Sequence, residues 1–217
     1  MYNLTTKELI IEAGRFCEKY SIEGITELYG VTDGKAVGTF IEHLFKEFLS
    51  LNYIFDVGNS ARGIDLPSIN TDIKVTSIRQ PQSSSPFKSA RQKIYGLGYN
   101  LLVFVYDKYD DPVSGLAYMK FVSCSFVDSI RTGDFTLTKA LITDINNGAN
   151  QEDIIALFSD KNLPGDEIVY TNLSEEVLIR TPHQGYLTIS NALQWRLQYR
   201  RIVDLPANSV AEIIKIV

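Results

Sequence analysis

Hydrophobic and polar positions recur along the N-terminal part of the chain with a helical period. Thr5 and Glu8 have the spacing of a capping box, and apolar residues then recur at helical spacing through Tyr20. After a Gly-containing loop at 32–35, residues 36–50 predict a second, amphipathic helix. The apolar face of this second helix carries Val37, Phe40, Ile41, Leu44, Phe45 and Phe48.

Short strand patterns dominate the middle of the chain. The strands expected at 63–66 and 71–78 are predicted to form a hairpin, because Pro67, Ser68 and Asn70 supply turn-forming residues between them. The run at 101–106 is continuously apolar, which is typical of a central strand buried on both faces. In chain order, strands are expected at 52–57, 63–66, 71–78, 101–106 and 117–126, with a polar loop at 79–86 and a helix at 87–97.

The last third of the chain has a less regular pattern. Helices are expected at about 136–146 and 151–159, a strand pair at 176–180 and 186–189, and a helix at 191–202. Together the elements predict an α/β fold in which a mixed β-sheet core is flanked by helices. We expect a single domain over 1–217, with a core at about 34–126 and a C-terminal helical and hairpin part at about 127–217.

Composition narrows the class of protein. The 217 residues are 45% hydrophobic and 22% charged, which allows a buried core and argues against global disorder. A net charge of −5 argues against a protein that coats nucleic acid by bulk charge. Cys17 and Cys124 have neither metal-ligand nor disulfide spacing, and the N-terminus lacks a signal-peptide pattern. We therefore expect a cytoplasmic protein without a membrane segment.

Three charged residues in one short stretch are the candidates for chemistry. Asp65 and Asp72 are seven residues apart, so neighbouring strands of a hairpin would place both carboxylates at one edge of the sheet. Lys74 lies two residues after Asp72 and faces the same side of a strand. Carboxylates hold a hard divalent cation, and a neighbouring ammonium can orient or deprotonate a water molecule beside a phosphodiester. The structural alternatives are an aspartate in a turn and a solvent-facing pair on a strand.

The stretch GIDLPSINTDIK, which contains these three residues, resembles the PD-(D/E)xK nuclease superfamily. With the preceding run GKAVGTFIEHLF it resembles the MutH-like branch, whose Lys-x-x-Gly-x-x-x-Glu helix motif is matched by Lys35, Gly38 and Glu42. The resemblance covers about residues 34–77. The sequence departs from the commonest form at position 72, which is Asp rather than Glu, and before Asp65, where a proline is frequent.

The resemblance implies a restriction-endonuclease-like fold and a type II restriction endonuclease that cuts double-stranded DNA at a short sequence with Mg²⁺, for which Mn²⁺ can substitute. It implies that Asp65, Asp72 and the Ile73 carbonyl hold the ion, that Glu42 completes the shell, and that Lys74 positions the attacking water. Two alternatives stay open, namely a strand-specific nicking repair endonuclease and a module of the same fold that binds DNA without chemistry.

Cleavage of both strands usually needs two active sites, so we expect a homodimer, although a monomer that nicks twice also fits.

A cationic segment follows the candidate site. No Asp or Glu occurs between Lys74 and Asp107, whereas basic residues, amides and hydroxyls are frequent there. Because DNA affinity rests largely on phosphate neutralisation, this segment and a basic stretch near the C-terminus are predicted to contact DNA, unless both are simply solvated surfaces. The predicted DNA-contacting residues are Lys35, Arg79, Gln80, Gln82, Ser83, Ser84, Ser85, Lys88, Arg91, Gln92, Lys93, Asn191, Gln194 and Arg196.

Overall fold

The computed structural model describes residues 2–58, 63–84, 89–190 and 196–217. Within these ranges the helices are α1 (Thr6–Ile22), α2 (Gly34–Ser50), α3 (Ala90–Tyr95), α4 (Phe135–Asn146), α5 (Gln151–Asp160), α6 (Glu167–Ile179) and α7 (Arg200–Val203). The strands are β1 (Tyr2–Asn3), β2 (Gly24–Ile25), β3 (Tyr53–Ile54), β4 (Thr71–Ser77), β5 (Gln82–Ser84), β6 (Asn100–Asp111), β7 (Leu116–Val127), β8 (Thr188–Ile189), β9 (Arg196–Gln198) and β10 (Ile213–Lys215). None of the described helices is both long and apolar enough to cross a membrane.

The chain divides into two compact units, each assembled from separate stretches of sequence. The first unit comprises Met1–Gln82, Asn100–Val127 and Val203–Val217, and the second comprises Ser83–Tyr99 and Asp128–Ile202. A single domain over the whole chain stays a prediction.

The first unit is built on a mixed sheet with the strand order β10-β7-β6-β4. Strand β4 is parallel to β6, whereas β6, β7 and β10 are antiparallel neighbours. Helices α1 and α2 pack on this sheet through a cluster of aromatic rings: the Phe16 centroid lies 5.0 Å from that of Phe45 and 5.6 Å from that of Phe104. The predicted α/β fold, a mixed sheet flanked by helices, is therefore confirmed.

Helix α2 forms where its sequence pattern predicted it. The Asp33 carboxylate accepts a hydrogen bond of 2.7 Å from the Ala36 N–H and so caps the first turn. Apolar residues at helical spacing, among them Val37, Ile41 and Phe45, are buried against the sheet. The side chains of Glu42 and Lys46 remain partly exposed one turn apart, which places a carboxylate and an ammonium beside each other.

The predicted hairpin before β4 is much reduced. Leu66 and Thr71 form one antiparallel bridge around a short 3-10 turn at Pro67–Ile69, and Asn70 has a positive φ of 49°. The strand expected at 52–57 shrinks to β3, which pairs in parallel with β1. Although the hairpin is short, its bridge is enough to bring Asp65 beside β4.

In the second unit, α4, α5 and α6 enclose a separate core that includes Leu141, Phe158 and Val177. The helices predicted at about 136–146 and 151–159 are confirmed by α4 and α5. The strand predicted at 176–180 is wrong, because this stretch forms the end of α6, whose first turn is capped by Asp166.

The helix predicted at 191–202 is wrong at 196–199 and confirmed only at 200–202, which begin the short α7. Residues 191–195 lie outside the described ranges, and the remainder forms β9 and the short α7. Strand β9 pairs antiparallel with β8, which places Leu197 opposite Ile189. Leu197 and Tyr199 are buried whereas Arg196 and Arg200 are exposed, so the local period is two rather than 3.6.

Candidate active site

Asp65 is fixed directly to the strand that carries the second acid. Its Oδ2 accepts a hydrogen bond of 2.9 Å from the Ile73 N–H of β4. Its Oδ1 accepts a hydrogen bond of 2.7 Å from Lys46 Nζ of α2. Asp65 is therefore more than a turn residue before Pro67, because its carboxylate joins the strand to the helix.

Asp72 and Lys74 lie side by side on β4, as their spacing predicted. Lys74 Nζ lies 2.5 Å from Asp72 Oδ2, while the intervening Ile73 is buried in the hydrophobic core. Only 4% of the Asp72 side chain is exposed, compared with 23% for Lys74. A solvent-facing pair is therefore the wrong description of Asp72, and the ammonium is the member of the pair that water can reach.

Glu42 joins these residues through a lysine that the sequence analysis did not identify. Lys46 Nζ donates a hydrogen bond of 2.7 Å to Glu42 Oε1 in addition to its bond to Asp65. The spacing of Glu42 and Lys46, four residues apart in a predicted helix, was the available signal. The structure thus brings all four predicted catalytic residues and Lys46 into one cluster.

Burial makes the electrostatics of this cluster unusual. Burial, reinforced by the neighbouring Asp65 carboxylate, raises the pKa of Asp72 to about 7 against the opposing effect of Lys74. Burial also acts to raise the pKa of Asp65, but the neighbouring Asp72 and Glu42 carboxyls, which take up the proton in its place, and the hydrogen bonds from Lys46 and the Ile73 N–H hold that pKa well below its usual range. The two carboxylates therefore share a site in which full ionisation of both is costly without an additional cation.

The donor set fits a hard divalent cation. Carboxylate oxygens are the ligands that Mg²⁺ prefers, and Asp72 Oδ2 is buried without a well-oriented hydrogen-bond donor in the described part of the chain. Among the described residues, no three acidic, histidine or cysteine side chains converge as a ligand set. Two ammonium groups lie among the carboxylates instead, so an ion bound by all three acids requires local rearrangement of these lysines.

Comparison with known proteins identifies the family. The family model of the type II restriction enzyme NspV matches residues 3–215, nearly the whole chain. The chain belongs to this family. The type II restriction enzyme NspV of Nostoc sp. (strain ATCC 29411 / PCC 7524) is 53% identical over 201 residues, which cover 93% of this chain and 91% of the relative. No solved structure gives a significant match.

The protein is therefore a type II restriction endonuclease, a site-specific deoxyribonuclease that acts on DNA. This confirms the enzyme class that the motifs implied. Membership of the PD-(D/E)xK superfamily and the roles of individual residues stay predictions.

The predicted DNA-contacting residues of the enzyme occupy different environments. Lys35 at the start of α2 and Arg79 and Gln80 after β4 are exposed in the first unit. In the second unit, Ser84, Arg91 and Arg196 are exposed, while Gln82 of the first unit and Ser83 and Gln92 of the second are partly buried. Ser85, Lys88, Asn191 and Gln194 lie outside the described residues.

Two residues of the cationic segment do not fit the predicted role. Lys93 is only 4% exposed, and burial lowers its pKa, so it is not available to a DNA phosphate. Arg91 is exposed, but its guanidinium donates hydrogen bonds to both carboxylate oxygens of Glu176, 85 residues away. The segment has no acidic residue of its own, but the fold brings the acidic Glu176 from elsewhere in the chain to Arg91.

Proposed function

We propose that the enzyme hydrolyses both strands of DNA at a short specific sequence with Mg²⁺, and that Mn²⁺ can replace Mg²⁺. The observation that carries this proposal is the pair on β4, in which a buried Asp72 contacts the more accessible Lys74. Asp65, held by the Ile73 N–H, lies against the same pair. Family membership supports restriction rather than the nicking activity that the motifs also allowed.

Asp65, Asp72 and the Ile73 carbonyl hold the cation in this proposal, and Glu42 completes the shell directly or through water. When bound, the cation polarises the phosphate and lowers the pKa of water. Lys74 reaches solvent from beside Asp72, so its ammonium can donate a hydrogen bond to a water molecule and orient it toward the phosphate. The Ile73 N–H keeps the Asp65 carboxylate oriented during this step.

Removal of divalent cations is expected to stop cleavage completely, and added Mg²⁺ is expected to restore it. The measurement is digestion of supercoiled plasmid by enzyme dialysed against EDTA, before and after Mg²⁺ is added. Linear DNA or fragments are the expected products, because a restriction enzyme cuts both strands. Cleavage in excess EDTA would exclude a requirement for a divalent cation. A reaction that stops at the open circular plasmid would favour a nicking enzyme.

We propose further that the enzyme acts as a homodimer. Two-fold symmetric dimers place two equivalent active sites on the two strands of a palindromic sequence. Light scattering after size exclusion is expected to give twice the mass of one chain at micromolar concentration. A monomer mass both alone and with specific DNA would contradict the dimer.

Arg79 and Arg91 are expected to differ in their contribution to DNA binding. Arg79 is exposed and has no acidic partner in the described part of the chain, whereas Glu176 already neutralises Arg91. Arg79→Gln is expected to weaken binding and to reduce the slope of log affinity against log salt by about 1, while Arg91→Gln leaves that slope nearly unchanged. Fluorescence anisotropy in EDTA over a salt series measures the affinity and the salt slope of each variant. Equal slopes for the two variants would refute the expected difference between Arg79 and Arg91.

A further inference from the structure

Lys46 occupies a position that no functional motif identified. Its Nζ donates one hydrogen bond to Glu42 Oε1 and one to Asp65 Oδ1, both 2.7 Å long. Only 13% of the side chain is exposed, so solvent screens these bonds weakly. One ammonium therefore bridges two of the carboxylates that the proposed function assigns to the metal.

The cluster contains more negative than positive charge. Glu42, Asp65 and Asp72 carry three negative charges when ionised, and Lys46 and Lys74 carry two positive charges, which leaves one excess negative charge. Without Lys46 the excess would be two. Because like charges at short distance disfavour each other strongly in a partly buried site, Lys46 stabilises the assembled carboxylates when no metal is bound.

The same contacts oppose metal binding. Mg²⁺ binds oxygen ligands at about 2.0–2.1 Å, so an ion held by Glu42 and Asp65 would lie close to an ammonium that contacts the same two oxygens. Two cations at such a separation repel each other. Lys46 can withdraw because its ammonium is carried on a flexible four-carbon stem.

We propose that Lys46 is a displaceable counter-cation, which bridges Glu42 and Asp65 in the metal-free enzyme and leaves them when the divalent cation binds. This inference rests on the proposed function, because it takes Glu42 and Asp65 as ligands. Lys46 is thus a positioning residue: it holds the carboxylates ready without metal and makes metal binding weaker than the carboxylates alone would allow.

Substitution of Lys46 by methionine separates these two effects. Methionine keeps an unbranched side chain but removes the ammonium, so the metal no longer has to displace a bound cation. Lys46→Met is expected to bind Mn²⁺ at least about tenfold more tightly than the wild type, since two charge-assisted hydrogen bonds no longer have to be broken. Lys46→Arg keeps the charge and is expected to remain within about threefold of the wild type.

Titration calorimetry with Mn²⁺ and the full-length enzyme, without DNA, tests this expectation. Lys19→Met is the matched control, because Lys19 lies half-exposed on α1 and its removal leaves the cluster intact. Unchanged or weaker Mn²⁺ binding by Lys46→Met, with normal binding by the wild type, overturns the proposal for Lys46 alone. Failure of the wild type to bind Mn²⁺ overturns the proposed metal site as well.

A second measurement follows Lys46 in the wild type, and the Lys46→Arg variant serves only to assign its signal. In protein labelled with ¹³C at lysine Cε, the Lys46 resonance is identified by its absence from Lys46→Arg. Saturating diamagnetic Mg²⁺ is expected to shift this resonance toward the position of exposed lysines, while the Lys19 resonance stays in place. A Lys46 resonance that does not move when Mg²⁺ saturates the enzyme overturns the displacement.

Discussion

Asp72→Asn is expected to lower the rate of DNA cleavage at least about a thousandfold, because it removes a carboxylate from the proposed metal site without changing side-chain size. The Asp72 side chain is nearly fully buried and contacts Lys74, so the substitution removes a charge from inside the cluster. DNA binding is expected to remain measurable, since phosphate contacts supply most of the affinity. Single-turnover digestion of plasmid measures cleavage, and mobility shift in EDTA measures binding.

Asp107→Asn is the matched control, because Asp107 is an exposed aspartate on β6, the strand paired with β4. It removes one negative charge from the same sheet and is expected to leave cleavage unchanged.

Lys74→Ala is expected to lose cleavage as Asp72→Asn does, since the ammonium orients the attacking water. Full activity in either Asp72→Asn or Lys74→Ala would sink the assignment of the active site.

Phe104→Ala is expected to destabilise the protein by about 3–5 kcal/mol, because it leaves a cavity at the centre of the first unit. The Phe104 ring is fully buried and lies 5.0 Å from Phe45 and 5.7 Å from Phe121, measured between ring centroids. The first contact joins the sheet to α2 and the second joins β6 to β7, and both are lost when the ring is removed. Urea denaturation followed by circular dichroism measures the loss of stability.

Tyr109→Ala is the control on the same strand. Tyr109 is 57% exposed and stacks on Tyr118 at a centroid distance of 5.1 Å, so its removal leaves no cavity. The expected loss is about 0.5–1.5 kcal/mol. Equal losses of stability for the two variants would mean that the buried aromatic cluster contributes no more than an exposed ring pair.

Sequence patterns predicted the elements with long apolar stretches. Helix α2 formed where its pattern placed it, because one buried face fixes its period, and β7 formed at its predicted place. Strand β6 formed around the continuous apolar run at 101–106, which is buried on both faces, and continues to Asp111. The stretches 176–180 and 196–199 were predicted wrongly. Short apolar runs suit a helix or a strand equally well, and in the second unit the packing of α6 and the pairing of β8 with β9 decided between them.

The sequence by itself determined that Asp72 and Lys74 are neighbours, because residues two apart on a strand share one face. It also determined the family and with it the activity on DNA. Only the tertiary structure brought Lys46 of α2 to Asp65 and Glu176 of α6 to Arg91, and only burial in the fold withdrew Lys93 from solvent. The environment of each of these charges is set by residues that are distant in sequence. The packing of whole helices and strands fixes the distances between them, so local spacing in the sequence does not reveal these contacts.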